Sequence, residues 1–402
     1  MNPSLKKILI NRYKGPLVIL ILLILGIYTF QTISGITSWK TNYTYFNTPA
    51  AQKDFDEQLK NSYDFQDEQA GNIFLYYDLK KEHAIYTDNF KEYKDYSLTI
   101  FNPITDANQL AYNSYSYYDE HFLFLLVIVM VTGVLLFLYD LKTQFTAALF
   151  SSKYRRKDIY WHKMIIVGST LAGTLLVAKM ISLLAYRFFI PSEFLNISLH
   201  QQLMSTLSGW LTLITLFVIS SFIGMLFGEW LFGIATIGII YFSFSSFMIN
   251  LDSIYRTIFV DEAASPMTVD NNILEHALPV VQTSIDKINL VPLLGIVLLA
   301  SILLFVGSKL FQAISLERMG EAILVPQFSR LLQVFIIFYG MILFSTNIFL
   351  LTFFPGDSIP TSYIVFGILK ILAWFLGLWF VTEFTLFNKK SKIIRKLSFL
   401  DI

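Results

Sequence analysis

Residues 16–38 read PLVILILLILGIYTFQTISGITS, an uninterrupted run without a charged side chain. Because a helix needs about 20 apolar residues to cross the hydrocarbon core of a bilayer, this run is long enough to span it. It is too long for the apolar region of a signal peptide and lacks a small-residue cleavage site, so we predict a first span that is retained. Further predominantly apolar stretches of about this length are 121–139, 164–189, 204–227, 230–249, 290–310, 332–354 and 362–383. The sequence therefore predicts an all-α polytopic membrane protein with about eight transmembrane helices.

The amino-acid composition also indicates a membrane protein. Apolar residues make up 55% of the 402 residues and charged residues only 15%, with a mean hydropathy of +0.57. Soluble globular proteins have roughly 25% charged residues. The absence of cysteine excludes a disulfide framework and thiolate metal sites. A net charge of +1 gives no indication of nucleic-acid binding, so we predict no nucleic-acid partner.

The distribution of basic residues predicts the orientation. Lysine and arginine are concentrated at the N-terminus, in the loop 140–163, after the sixth span and in the C-terminal tail. The opposite loops hold fewer, and most of those lie in the long acidic segment 39–120, where the positive-inside rule has little weight. We therefore predict that both termini are cytoplasmic.

The predicted spans divide the chain into six regions. Thr48-Pro49 is typical of a helix start, so we expect a helix over 49–62, and we expect residues 105–120 to extend the second span outward as a helix. The outer region is therefore predicted to be mainly helical. The regions are 1–38, amphipathic elbow and first span; 39–120, extracytoplasmic domain; 121–249, spans two to five with the cytoplasmic loop 140–163; 250–289, extracytoplasmic loop; 290–383, spans six to eight; and 384–402, basic cytoplasmic tail.

The N-terminal segment 2–14 has helical spacing of apolar residues. Leu5, Ile8 and Leu9 fall on one face, and Lys6 and Lys7 can face headgroups or cytoplasm. The segment is either an amphipathic elbow helix that precedes the first span or a plain basic flank.

No catalytic or cofactor-binding motif is present in the sequence. It has neither a G-x-x-x-x-G-K-[ST] phosphate loop nor an H-E-x-x-H zinc motif. The five histidines are scattered over different loops without metal-ligand spacing. Carboxylate pairs such as Asp261-Glu262 lie at a predicted membrane surface, where charge is expected. We predict no catalytic residue, no metal site and no cofactor in this chain, and therefore no enzyme.

The loop after the second span carries the most information about function. Phe145, Leu149 and Phe150 fall roughly on one face of a short helix. A Ser151-Ser152 step follows, and then a basic cluster formed by Lys153, Arg155, Arg156 and Lys157. Exposed apolar side chains here suit docking into a groove of another protein. Equally, they suit an anchor whose apolar residues rest in the headgroup layer.

This loop gives the chain a family resemblance. Residues 151–163 follow the pattern small-small-x-x-Arg-Arg-x-x-Ile-Tyr-x-x-Lys. Together with the outer domain after the first span, the pattern resembles ABC transporter permeases of the type-2 exporter class. That family usually has proline near position 153, where this chain has Lys153. The residues that the resemblance assigns to coupling with an ATPase are Phe145, Leu149, Phe150, Ser151, Ser152, Arg155 and Arg156.

A second loop supports the same resemblance. Residues 316–321 read LERMGE, which is similar to a Leu-Glu-Arg-x-Gly-Glu loop in an eight-span, Gram-positive branch of the family. Glu317, Arg318 and Glu321 are helical-turn neighbours. They form either a second contact with the ATPase or an interfacial turn that satisfies itself.

Charged residues inside predicted spans are a usual indication of function. Lys179 lies near the middle of the third span and Lys370 within the last, and Glu383 ends that span. Lys179 either faces a translocation path or subunit interface, or pairs within the protein. Gly224 and Gly228 form a G-x-x-x-G motif, which permits close helix packing.

The resemblance implies a permease subunit in a bacterial cytoplasmic membrane. Its partners would be two copies of a cytoplasmic ATPase, which bind ATP and Mg²⁺, a second permease that is the same or a sister chain, and membrane lipids. The aromatic content suggests export of a hydrophobic or amphipathic cargo, such as a peptide, an antimicrobial compound or a lipid. Two alternatives stay open: a sensor or immunity protein that binds a peptide through its outer domain, and a membrane-embedded enzyme acting on a lipid-linked substrate.

Overall fold

A computed structural model describes most of the chain, and most of the described residues are helical. The described residues are 2–61, 72–78, 83–105, 110–114, 122–195, 198–228, 233–236, 238–240, 242–243, 246–247, 250, 290–315, 323–325, 328–344 and 361–387. The helices are α1 Pro3–Phe46, α2 Pro49–Asn61, α3 Phe90–Leu98, α4 Phe122–Lys142, α5 Phe145–Phe150, α6 Arg156–Phe189, α7 Leu199–Leu226, α8 Leu290–Ala313, α9 Ser329–Leu343 and α10 Thr361–Phe387. The strands are β1 Ile73–Asp78, β2 His83–Thr87, β3 Phe101–Thr105 and β4 Leu110–Ser114.

Five described helices are long and apolar enough to cross a membrane. They lie at Pro3–Phe46, Phe124–Lys142, Arg156–Phe189, Gly209–Leu226 and Leu294–Ala313. These positions match five of the predicted spans. Helix α9 is apolar but shorter, helix α10 covers the predicted span 362–383, and the predicted span 230–249 is described only as short helical pieces.

Helix α1 runs without interruption through the predicted elbow and the predicted first span. The side chain of Asn2 caps it by accepting a hydrogen bond from the Ser4 amide at 3.1 Å, and Pro3 follows at the first position. The helix continues past Pro16 to Phe46, for 44 residues. The N-terminal segment is therefore helical, but it is not an element separate from the first span.

The region after α1 combines helices with two hairpins. Helix α2 confirms the helix predicted from Thr48-Pro49. Strands β1 and β2 pair antiparallel, and so do β3 and β4, with Pro103 opposite Tyr112. The predicted helix over 105–120 is therefore wrong where β4 lies, because residues 110–114 form backbone bonds to a neighbouring strand instead of within a helical turn.

The chain divides into two compact units. The first comprises Met1–Val129, His162–Thr215 and Pro279–Val297. A hydrophobic core of this unit lies where α1, α3 and the end of α6 meet. Trp39 donates its indole N–H to the Leu98 carbonyl at 2.8 Å, and the Ile100 amide donates to the Phe194 carbonyl at 2.9 Å. The core residues are Ile36, Trp39, Leu98, Ile100, Leu183, Tyr186, Ile190, Phe194 and Leu195.

The second unit comprises Met130–Trp161, Leu216–Leu278 and Leu298–Ile402. Within it, α4 and α7 approach closely at two glycines. A Cβ at Gly224 would lie 2.5 Å from the Val134 carbonyl oxygen, and one at Gly133 would lie 2.7 Å from the Phe217 oxygen. The close packing predicted from the G-x-x-x-G motif is therefore confirmed at Gly224.

Helices α9 and α10 of this unit pack antiparallel. Arg330 near the start of α9 meets Glu383 near the end of α10, and Phe344 after α9 stacks on Trp374 with ring centroids 4.0 Å apart. Between them, Gly340 lets the Leu378 side chain approach the α9 backbone. An antiparallel pair is the arrangement that two consecutive membrane crossings require.

Candidate functional site

The predicted cytoplasmic loop begins with a sharp turn at Gln144. Helix α4 ends at Lys142, and Gln144 adopts a left-handed conformation with φ of 56°. Its amide donates to the Leu141 carbonyl at 3.1 Å, which closes the end of α4. The chain then forms the short helix α5, so the prediction of a short helix around Phe145, Leu149 and Phe150 is confirmed.

The apolar side of α5 faces the interior of the protein. Leu149 is only 4% exposed, and Phe145 and Phe150 are half-buried. The Phe150 ring packs edge-on against Phe311 of α8, with centroids 5.2 Å apart. The prediction that these residues project as exposed knobs is therefore wrong for Leu149. Spacing shows which residues share a face of a helix, but it does not show what that face contacts.

An aromatic cluster supports α5 on its inner side. Phe311 contacts Phe137 of α4 at 5.4 Å and Tyr160 of α6 at 5.8 Å between ring centroids. The Tyr160 hydroxyl donates to the Leu304 carbonyl of α8 at 3.1 Å, beside Gly307. The rings of Phe137, Tyr160 and Phe311 are almost fully buried. The loop therefore rests on a packed core that α4, α6 and α8 build together.

Arg156 connects this loop to the end of α8. Its Nη1 atom donates to the carbonyls of Gln312 and Ile314, both at 2.9 Å. Carbonyls at the end of a helix lack partners within the helix, and a cation there is favoured by the helix dipole. The guanidinium also lies over the Phe150 ring, 4.3 Å from its centroid. We call this set, Arg156 with Phe150, Phe311, Gln312 and Ile314, the Arg156 clamp.

The neighbouring polar residues of the loop have different roles. The Ser151 and Ser152 hydroxyls donate to the carbonyls of Ala147 and Leu149 at 3.0 and 2.5 Å, so they cap α5. Arg155, unlike Arg156, is exposed.

The two arginines are therefore not equivalent. The family resemblance assigned both to coupling, whereas the structure separates a contact within the protein, made by Arg156, from a solvent-facing cation, Arg155. In the sequence, Arg156 and Tyr160 are four positions apart, which places both on one face of α6. That spacing is the sequence feature that could have distinguished Arg156 from Arg155.

The second predicted cytoplasmic contact, Glu317, Arg318 and Glu321, lies outside the described residues. Ile314 before it and Ile323, Leu324 and Val325 after it are buried. On one side the Ile314 carbonyl accepts from Arg156. On the other, Ile323 forms an antiparallel bridge with Phe227, and the Leu324 amide donates to the Leu226 carbonyl at 2.9 Å. The residues that flank this loop are therefore packed within the second unit.

Lys179 of α6 lies against α1 within the first unit. Its Nζ atom is 6.0 Å from the centroid of the Tyr28 ring, and one turn further along α6 the Ser182 hydroxyl hydrogen-bonds Thr32 at 2.7 Å. This position favours the alternative in which Lys179 contacts another helix of the same chain. A role in a translocation path stays a prediction, as does any role for Lys370, which is half-buried on α10.

A polar network between α9 and α10 was not predicted as a network. Arg330 donates to Glu383 at 2.6 Å and to Gln333 at 2.7 Å, and Gln333 donates to the Thr382 hydroxyl at 3.1 Å. Glu383 is buried, which is unusual for a carboxylate unless it is paired. One sequence feature could have indicated this network. Arg330 precedes one predicted span and Glu383 ends the next, so both charges lie on the same predicted side of the membrane.

Comparison with protein-family models, with curated proteins and with solved structures found no match for this chain. Among the described residues, no group of three or more His, Asp or Glu side chains is arranged to hold a metal ion.

Proposed function

We propose that this chain is the membrane-spanning subunit of an ATP-driven ABC transporter in a bacterial cytoplasmic membrane. Two copies of a separate ATPase bind ATP and Mg²⁺ and dock on the cytoplasmic loop between α4 and α6. The chain crosses the bilayer about eight times with both termini in the cytoplasm, pairs with itself or a sister permease, and exports a hydrophobic or amphipathic cargo. It is not itself an enzyme.

The observation that carries this proposal is the construction of the loop between α4 and α6. Two long apolar helices are joined by one short helix, α5, which is set off by the turn at Gln144 and seated on a buried aromatic cluster. Such a loop transmits a displacement at its surface to α4, α6 and α8 because packed cores deform little. Its exposed cations, Lys153, Arg155 and Lys157, supply charge for a protein partner.

The structure determines which variants test this proposal. Replacing Leu149 with Asp would bury a charge and unfold the loop, so it cannot distinguish docking from folding. The double variant Lys153→Glu, Arg155→Glu changes only exposed side chains. If a neighbouring reading frame encodes an ATPase with a phosphate loop, we expect the double variant to abolish its recovery when the two proteins are co-expressed and the permease is purified.

The matched control is Lys53→Glu on α2, an exposed charge reversal predicted to lie on the other side of the membrane. We expect it to leave ATPase recovery unchanged. Equal recovery with the double variant would contradict docking at this loop. Failure of the wild-type chain to retain any ATPase would favour the sensor or enzyme alternatives.

A further inference from the structure

The Arg156 clamp joins two surface segments that are far apart in the sequence. One is the loop from α5 to the start of α6, and the other is the last turn of α8. Two backbone carbonyls, that of Gln312 in the last turn of α8 and that of Ile314 just after it, share one guanidinium, which also covers Phe150. A planar guanidinium can do this, whereas a lysine ammonium offers a point charge without the flat face that covers the ring. A relative displacement of the two segments larger than the Arg156 side chain can follow would therefore break these contacts.

The exposed side chains beside the clamp are small or polar. Ala148 and Ser151 face solvent on the loop, and Gln312 and Ala313 face solvent on α8. In the described stretches 143–157 and 308–315 no large apolar side chain is exposed. Leu149, Phe311 and Ile314, for example, are buried. The surrounding exposed cations are Lys142, Lys153, Arg155, Lys157 and Lys309.

These side chains favour a protein partner over a membrane surface. A segment that rests in the headgroup layer exposes apolar residues toward the acyl chains, whereas this surface buries Leu149, Phe311 and Ile314 and leaves Phe145 and Phe150 half-buried. Small exposed side chains on segments that also carry several exposed cations instead permit close approach of an acidic protein surface.

We propose that the loop 148–155 and the end of α8 at 312–313 form one composite docking surface, held together by the Arg156 clamp, for an acidic patch of the cytoplasmic ATPase. This inference rests on the proposed function and adds to it a second contact segment and a positioning residue. In it, Arg156 does not touch the partner. It keeps the two contact segments in register.

The clamp can be tested without the ATPase. The chain contains no cysteine, so Ala148→Cys and Ala313→Cys can be spin-labelled without removing native residues. The distance distribution between the labels, measured by double electron–electron resonance in nanodiscs with unlabelled protein in excess, should be narrow. We expect Arg156→Ala to broaden it and shift it to longer distances, and Arg156→Lys to do so partly. Arg155→Ala should leave it unchanged.

An unchanged distribution in Arg156→Ala would overturn the clamp. If that variant does not purify as a monodisperse protein, Arg156→Lys and Phe150→Leu replace it, because both are smaller changes to the side chain. An unchanged distribution in both would have the same meaning.

The composite surface is tested by cross-linking to the co-expressed ATPase. We expect a thiol-reactive photo-cross-linker to capture the ATPase from the Ala148→Cys variant and from the Ala313→Cys variant, and Arg156→Ala to reduce the yield at both positions. Capture from position 148 alone would overturn the composite surface while leaving the proposed function intact. Capture from neither position would contradict the proposed function. A mobility change of spin labels at both positions on adding anionic lipid, with no ATPase capture, would instead assign the surface to the membrane.

Discussion

Two glycines set the separation of α4 and α7. At Gly224 the nearest atoms to an added Cβ belong to the backbone of Val134, which cannot move as a flexible side chain would. We expect Gly224→Ala to force the helices apart and to cost about 2 kcal/mol, the usual magnitude for overpacking a well-packed core. The temperature at which half of the detergent-solubilised protein loses its monodisperse size-exclusion peak should fall.

Gly173 of α6 provides the control, because a Cβ there meets nothing within 4 Å. Alanine is a better helix former than glycine by about 1 kcal/mol. Gly173→Ala should therefore leave the transition temperature unchanged or raise it. Equal destabilisation by the two substitutions would show that the close approach at Gly224 has no energetic importance.

The Arg330–Glu383 pair presents a second residue-scale test. The Glu383 side chain is 8% exposed, whereas that of Arg330 is 62% exposed, so the carboxylate depends on its partner more than the arginine does. We expect Arg330→Met to destabilise the protein by about 2 kcal/mol, since it leaves a buried charge without its strongest hydrogen bond. Thermal unfolding followed by size-exclusion chromatography measures this loss.

Restoring neutrality should recover part of that stability. The double variant Arg330→Met, Glu383→Gln removes the buried charge together with its partner, and we expect it to be more stable than Arg330→Met alone. If the double variant is the less stable of the two, the carboxylate is stabilised by something other than Arg330.

The corner between α4 and α5 depends on one unusual backbone conformation. Among the described residues, Gln144 is the one non-glycine residue with a positive φ. This conformation costs an L-residue about 1 kcal/mol. We expect Gln144→Gly to stabilise the protein by about that amount, because glycine adopts the conformation freely. Ala148→Gly, four residues further on in α5, should have the opposite sign. If the denaturation midpoints of the two variants shift in the same direction, that result would contradict the assignment of the turn at Gln144.

At the scale of the element, sequence patterns correctly predicted the helices that depend on neighbouring residues in the sequence. Helix α2 follows from Thr48-Pro49, and helix α5 follows from the spacing of Phe145, Leu149 and Phe150. Strand β4 was missed because its stabilising partner is another strand, β3, and pairing depends on contacts that spacing alone does not contain.

The candidate site shows the same limit more clearly. Sequence patterns located the loop and its basic residues, but they assigned Leu149 to the surface and one role to Arg155 and Arg156. Burial of Leu149 depends on how α5 packs onto the protein, and the role of Arg156 depends on carbonyls more than 150 positions away. No periodicity within the loop encodes either set of partners.

At the scale of the whole molecule, the absence of cysteine permits a direct test of orientation. Ser151 and Ala50 are both exposed and lie on opposite predicted sides of the membrane. We expect Ala50→Cys to react with a membrane-impermeant maleimide in intact cells, and Ser151→Cys to react only after the membrane is opened. The reverse pattern would invert the predicted orientation, and reaction of both in intact cells would contradict a membrane between them.

Helix α1 is much longer than a bilayer crossing requires. At 1.5 Å per residue its 44 residues extend about 66 Å, roughly twice the 30 Å hydrocarbon core. Tilting a helix of this length by about 10° around one end displaces its other end by about 11 Å. Because Trp39 and Tyr43 near that end are packed against Phe194, any such tilt would move the residues around Phe194 with it. A small tilt of α1 at the end that holds Leu5 and Leu9 would therefore cause a large displacement of its other end.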